Sequence, residues 1–296
     1  MRILITGREG QLARSLLRRA ALEPGLELRA VGRPELDLEH PESIERAIRA
    51  AAPDLVINAA AYTAVDRAED EPERAYRFNA AAAGEVAAAA RRQGARVIQL
   101  STDYVFDGTG EGPYAETAPT RPLGVYGRSK LDGEQSVAEA NPDHLILRTA
   151  WVYSPFGRNF VKTMLGLATE REELGIVDDQ RGSPTSAADL ADGILALVRA
   201  WRDRPALGLG TIYHLAGSGD ASWFEFAAAI FHESAARGLP TARVKPIRSA
   251  DWPTRAPRPA NSVLDSSRFA ADFGFRAPPW QRSTAAVVAA LSAGEA

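Results

Sequence analysis

Tyr126 and Lys130 stand four residues apart in the segment Val125-Tyr-Gly-Arg-Ser-Lys130. On a helix, that spacing puts both side chains on one face. A tyrosine phenol carries a transferable proton, ordinarily held with a pKa of about 10. A neighbouring ammonium favours the phenolate and lowers that value, so the pair reads as a proton donor with electrostatic support. Lysine offers a compact ammonium that arginine does not, and it is scarce here. Of 35 basic residues, only Lys130, Lys162 and Lys245 are lysines. Upstream, Ser101-Thr-Asp-Tyr-Val-Phe106 follows a strand-like run. Thr102 can hydrogen-bond a carbonyl oxygen there, with Asp103 beside it. One proton and one hydride complete a carbonyl reduction, and a hydride requires a cofactor.

The N-terminus has the residues to bind one. Arg2–Thr6 runs into Thr6-Gly-Arg-Glu-Gly-Gln-Leu-Ala13. Gly7 and Gly10 permit a tight strand-to-helix turn and let backbone N–H groups approach a pyrophosphate. The helix that opens with Gln11 and Leu12 turns its N-terminus to that negative charge. The second strand ends in Val31-Gly-Arg33 with no acid at its tip. Arg33 suits a 2′-phosphate and points to NADPH. Asp37 and Leu38 follow closely and can flank the adenine, which leaves NADH open. The third strand ends in Asn58-Ala-Ala-Ala-Tyr-Thr63, where small side chains leave room for a dinucleotide.

These residues must be placed by strands that alternate with helices. Strand-like runs cover Arg2–Thr6, Glu27–Val31, Asp54–Asn58, Arg96–Leu100 and His144–Thr149. Helical spacing covers Gln11–Arg19, Glu42–Ala51, an alanine-rich Glu73–Arg92, and Tyr126–Glu139. Such alternation predicts an α/β, Rossmann-type doubly wound parallel sheet covered on both faces. After Trp151 the pattern loosens. Helices are expected over Arg158–Arg171, Ala187–Arg202, Ser222–Arg237 and Gln281–Leu291, a strand over Thr211–Leu215, and a loop over Pro246–Pro259. The expected organisation is a dinucleotide-binding domain over 1–150. A smaller, mainly substrate-binding C-terminal lobe follows over 151–296, with some segments free to return to the first domain.

Composition narrows the function further. A chain of 296 residues buries a sizeable core. A net charge of −3 gives no basic footprint for nucleic acid. With no cysteines, thiol catalysis and cysteine-based zinc sites are excluded. His40, His144, His214 and His232 are too scattered for a local metal motif. No apolar stretch is long enough to span a membrane, and the first residues do not read as a signal peptide. A cytoplasmic location is expected.

Taken together, these motifs resemble the extended short-chain dehydrogenase/reductase superfamily and, within it, the dTDP-4-dehydrorhamnose reductase family. The resemblance spans nearly the whole chain. Beyond the segments above, it rests on Asn58 through Glu69, Arg148-Thr-Ala-Trp-Val-Tyr153, Asn159-Phe-Val-Lys-Thr-Met164, Asp179-Gln-Arg-Gly-Ser-Pro-Thr185 and Arg258-Pro-Ala-Asn-Ser262. It implies NADPH-dependent reduction of the C4 keto group of dTDP-4-dehydro-β-L-rhamnose by a monomer or homodimer. Tyr126 would donate the proton, Lys130 would bind the nicotinamide ribose, and Thr102 and Asp103 would lie at the substrate oxygen. Trp151 would pack on the sugar. Gly10, Gln11, Leu12, Asp37, Leu38, Ala61, Tyr62 and Thr63 would contact the cofactor. The loop carrying Arg258 and Asn261 would close over the diphosphate, since arginine suits phosphate oxygens. Some family members hold magnesium through glutamates at a dimer interface. The matching positions here are Ser15 and Ala188, poor ligands, so no metal site is expected. Two other readings are a reductase or epimerase of another nucleotide-linked 4-keto sugar, and a non-catalytic subunit of the methionine adenosyltransferase type. The last predicts a damaged Tyr/Lys pair, and both residues are present.

Overall fold

The computed structural model describes residues 1–294. The first half lays down β1 (Arg2–Thr6), α1 (Gln11–Ala20), β2 (Glu27–Val31), α2 (Pro41–Ala51) and β3 (Leu55–Asn58). Short helices α3 (Val65–Ala68) and α4 (Pro72–Tyr76) follow. A π-helical turn over Arg77–Ala81 then leads into α5 (Ala82–Arg92). Next come β4 (Arg96–Thr102), a 3₁₀ turn over Asp103–Val105, α6 (Val125–Ala140) and β5 (His144–Thr149). The second half contains β6 (Val152–Tyr153), α7 (Phe160–Leu167), β7 (Glu173–Val177), β8 (Arg181–Gly182), β9 (Thr185–Ser186) and α8 (Ala187–Asp203). It ends with β10 (Thr211–His214), β11 (Ala221–Ser222), α9 (Trp223–Ala235), β12 (Arg243–Ile247), α10 (Ser267–Phe273) and α11 (Trp280–Ser292).

Six strands pair in parallel in the order β10-β5-β4-β3-β1-β2. Their apolar runs are buried throughout at β3 and β5, as expected for a parallel sheet covered on both faces. One face packs Leu12 and Leu16 of α1 with Leu190, Ile194 and Leu197 of α8. The other packs Ile44 and Ile48 of α2 with the alanines and Val86 of α5 and Val137 of α6. This is a Rossmann-type doubly wound α/β fold. The strand order reverses between β1 and β3, so ligands are expected beyond the carboxyl ends of those strands.

Residues after Trp151 take part in both layers. α8 and β10 complete the large sheet, β10 pairing with β5 through His214 opposite Arg148. A separate core joins α7, α9 and α11 to the parallel pair β7–β12. The expected helix over 158–171 is shorter, because β7 follows it, and the expected loop at Pro246 begins inside β12. Neither strand is visible locally. β12 carries Arg243, Lys245 and Pro246, and it forms because β7 lies beside it. α10 was also not expected; its Phe269 and Phe273 anchor it against Tyr213 of β10. The long alanine-rich helix is interrupted at the π turn, where the buried Asn79 side chain bonds the Tyr62 backbone and the Ser129 hydroxyl.

Candidate active site

β4 delivers Thr102 to the carboxyl edge of the sheet, and the chain then tightens into the 3₁₀ turn. The Thr102 hydroxyl accepts from the Tyr104 backbone N–H at 3.2 Å and donates to Asp103 Oδ1 at 3.0 Å. The first turn of α6 rests directly on this turn. A Cβ at Gly127 would lie 2.2 Å from the Tyr104 carbonyl oxygen, so only glycine allows the approach that sets Tyr126 beside Thr102. Tyr126 is half-buried and meets Tyr104 edge-to-face at 5.6 Å. Lys130, one helical turn on, is buried and donates from Nζ to the Leu100 carbonyl of β4 at 2.6 Å.

Burial governs the protons at this site. It raises the Tyr126 phenol above the ordinary tyrosine value, against a smaller opposite effect of the Thr102 hydroxyl. That corrects the expectation that Lys130 would lower it. The uncomplexed phenol is held neutral, the form a proton donor needs. Burial also depresses Lys130 to about 8, opposed by the charge of Glu134. Asp103, 2% exposed, is pushed up to about 6 by burial, with the Ser262 and Thr102 hydroxyls pulling it down. Its Oδ2 has no hydrogen-bond partner.

A buried ion pair supports Lys130 from below. Arg148 on β5 meets Glu134 on α6 through Nε–Oε1 at 2.8 Å and Nη2–Oε2 at 2.6 Å. The Ser101 hydroxyl donates to the same Oε1 at 2.5 Å. Removing one partner of such a pair leaves an uncompensated charge and costs about 3–5 kcal/mol. Glu134→Gln is therefore expected to lower the unfolding free energy by about that amount, measured in urea. It should also move the alkaline limit of turnover to lower pH, because Glu134 helps Lys130 keep its proton. An unchanged limit would disconnect the pair from Lys130.

The glycine turn suits a dinucleotide. Gly7 has φ +87°, and a Cβ there would meet Ala60 Cα at 3.3 Å. Gly10 is the N-cap of α1 and offers no side-chain cap, so the first-turn N–H groups have no intrahelical partner. Buried polar side chains brace the turn: Thr6 donates to Asn58 at 2.6 Å and Asn58 donates to Gln99 at 2.7 Å. Leu12 and Leu38 are largely buried, and Ala61, Tyr62 and Thr63 continue from β3 along the same edge. The Asp37 carboxylate accepts from the Glu39 N–H at 3.0 Å. The Gln11 side chain reaches instead to Val152, Ser154 and Asn159, which leaves its backbone N–H for a phosphate. Arg33 is exposed, and its guanidinium makes no hydrogen bond or ion pair among the described residues. Arg8, not singled out in the sequence, lies next to it and donates to the Arg33 carbonyl at 3.0 Å. Its position within the glycine turn was the available signal.

The remaining expected residues divide. Trp151 adopts φ +46°, a conformation that non-glycine residues take mainly under functional constraint. Its indole stacks on Trp223 at 3.5 Å and packs closely on Gly182. Trp223 was missed because nothing local ties it to Trp151. Arg258 donates to Asp66 at 2.7 Å, lies 5.7 Å from the Tyr104 ring centre, and leaves Nη1 unpartnered. The Asn261 amide is committed to the carbonyls of Gly110 and Gly112 and to the Val263 N–H, which fixes the loop and keeps the amide out of the cluster. Ser15 donates to the Gln11 carbonyl, and the Ala188 N–H is capped by Ser186. No group of carboxylates and histidines that could hold a metal is present among the described residues.

The family model described as the RmlD substrate binding domain matches residues 1–293. The dTDP-4-dehydrorhamnose reductase of Sinorhizobium fredii is 46% identical, over 98% of this chain and 98% of its own length. Among solved structures, a dTDP-4-dehydrorhamnose reductase from Clostridium acetobutylicum has a TM-score of 0.89 at 36% identity, covering 98% of this chain and 99% of that one. Another from Bacillus anthracis, in complex with NADP, has a TM-score of 0.88 at 35% identity, covering 97% and 98%.

Proposed function

We propose, from the premise that this chain belongs to the RmlD substrate binding domain family, that its cluster around Tyr126 catalyses the reduction its relatives are named for. The protein is a dTDP-4-dehydrorhamnose reductase, an oxidoreductase that converts the C4 keto group of dTDP-4-dehydro-β-L-rhamnose to the alcohol of dTDP-L-rhamnose. The observation that carries this reading is the intact set of Thr102, Tyr126 and Lys130 on elements that match those relatives from end to end. The same set argues against a non-catalytic subunit.

Bound NADPH supplies the hydride. The Tyr126 phenol, kept neutral by burial, gives its proton to the carbonyl oxygen and recovers one from solvent. The Thr102 hydroxyl orients that oxygen. Lys130 would anchor the nicotinamide ribose with the N–H groups not used on Leu100. Gly7, Gly10, Gln11 and Leu12 receive the pyrophosphate, with Asp37, Leu38, Ala61, Tyr62 and Thr63 around the adenosine half. The lobe beyond Trp151 holds the sugar nucleotide, with Trp151 against the sugar. Arg258 turns from Asp66 to the diphosphate.

Hydride destination tests the reaction. With reduced cofactor deuterated at the transferred position, the label should appear at C4 of the product sugar. An unlabelled product, or an epimer formed without net cofactor oxidation, would favour the epimerase reading.

Cofactor choice has its own test. A charge-assisted hydrogen bond is worth about 1.5–3 kcal/mol, so Arg33→Ala should raise the KM for NADPH by about 10-fold or more while changing that for NADH less than about twofold. Equal effects on both would remove Arg33 from the 2′-phosphate site.

A further inference from the structure

The helix that carries Tyr126 is uncapped by its own sequence. Its N-cap is Gly124, which makes no side-chain hydrogen bond, and its first turn contains no acid. The first N–H groups of a helix need an acceptor from elsewhere. Here it comes from 56 residues upstream: the Val125 N–H donates to Glu69 Oε1 at 2.7 Å. The fit is close. A Cβ at Gly124 would lie 2.6 Å from that same oxygen, so the glycine is what admits the carboxylate. A negative charge there also suits the positive end of the helix dipole.

Glu69 sits on a segment fixed at other points. Just before it, Asp66 accepts from the Ala256 N–H at 3.1 Å and from Arg258 at 2.7 Å. Just after it, Asp70 pairs with Arg255. The segment carrying Arg255, Ala256 and Arg258, which leads into the loop expected to close over the diphosphate, is thus tied to the acidic turn that holds the helix of Tyr126. Pro257 itself lies 3.7 Å from the position a Gly124 Cβ would take.

We infer that Glu69 is a positioning residue for the reaction: through its hydrogen bond to Val125 it sets the first turn of α6, and with it the place of the Tyr126 phenol against Thr102. This rests on the reduction proposed above. The Glu69 carboxylate acts through the Val125 N–H, so its effect falls on kcat. A misplacement of about 1 Å can cost about 100-fold in rate.

The test compares Glu69→Ala, Glu69→Gln and Gly124→Ala with the wild-type protein. Glu69→Ala should lower kcat by about 10-fold or more and leave the KM for NADPH within about twofold. Glu69→Gln keeps an acceptor oxygen and should recover most of that loss. Gly124→Ala displaces the carboxylate and should reproduce the loss, and the double variant with Glu69→Ala should add little, since both act on one contact. Amide hydrogen exchange over residues 125–130 provides a readout independent of the sugar. Exchange there should accelerate in Glu69→Ala and be restored in Glu69→Gln. Unchanged exchange, a kcat within twofold of wild type, or a Gln variant as impaired as the Ala variant would each overturn the inference. Absence of turnover in the wild-type protein would instead count against the proposed reaction, and the exchange comparison would still decide the role of Glu69.

Discussion

Tyr126→Phe should reduce kcat by about 10²–10⁴-fold, the range that general acid catalysis contributes. Cofactor affinity should stay within about twofold, because the variant removes only the phenol oxygen and keeps the ring. The fold should survive, since the ring keeps its edge-to-face contact with Tyr104. Rapid-quench turnover and fluorescence titration of NADPH together check this. Near-normal turnover would remove Tyr126 as the proton donor, whatever else the site does.

Lys130→Met should lose at least about 100-fold in turnover, the scale of misplacing a reactant by about 1 Å, and should weaken NADPH binding as well. It should also make the protein slightly more stable at neutral pH. Burial lowers Lys130 from 10.5 to about 8. At about 1.4 kcal/mol per pH unit, that is a penalty of about 3 kcal/mol on the charged form. Losing the charge-assisted hydrogen bond to Leu100 offsets about 1.5–3 kcal/mol of that, so the net gain is small. The pH window follows from the lowered value. Below pH about 8 the folded and unfolded chains both hold this proton and the penalty is constant. Between about 8 and 10.5 the unfolded chain holds a proton that the folded one has released, so the contribution of this group to stability rises with pH. The stability advantage of Lys130→Met should therefore shrink across that window. Wild-type turnover should fall through the same range as the ammonium is lost. A variant less stable than wild type at pH 7 would contradict the assignment of a destabilising buried charge.

Such a trade of stability for chemistry explains why some of this site was legible in the sequence. Tyr126 and Lys130 are bound by helical spacing, Gly7 and Gly10 by a strand-to-helix turn, and Thr102 by the end of a strand. Each is a local pattern, and scarcity of lysine made Lys130 conspicuous. The direction of the Tyr126 shift was not legible, because desolvation depends on what packs around the phenol and no spacing reports it. Glu134 and Arg148 look like ordinary helix and strand residues until α6 packs on β5 and brings them within 2.6 Å. Trp151 gains its stack from Trp223 on another helix. β7 and β12 define each other across some seventy residues. Asp66, Glu69 and Asp70 carry no local signal of pairing, yet each has a specific partner. The parts missed are long-range pairings, which a linear pattern does not encode.

Absorbance of the reduced nicotinamide, followed with enzymatically prepared dTDP-4-dehydro-β-L-rhamnose, tests the central claim most directly. NADPH absorbance should fall, matched mole for mole by formation of dTDP-L-rhamnose. No loss of absorbance with this sugar in a protein that binds NADPH would contradict it.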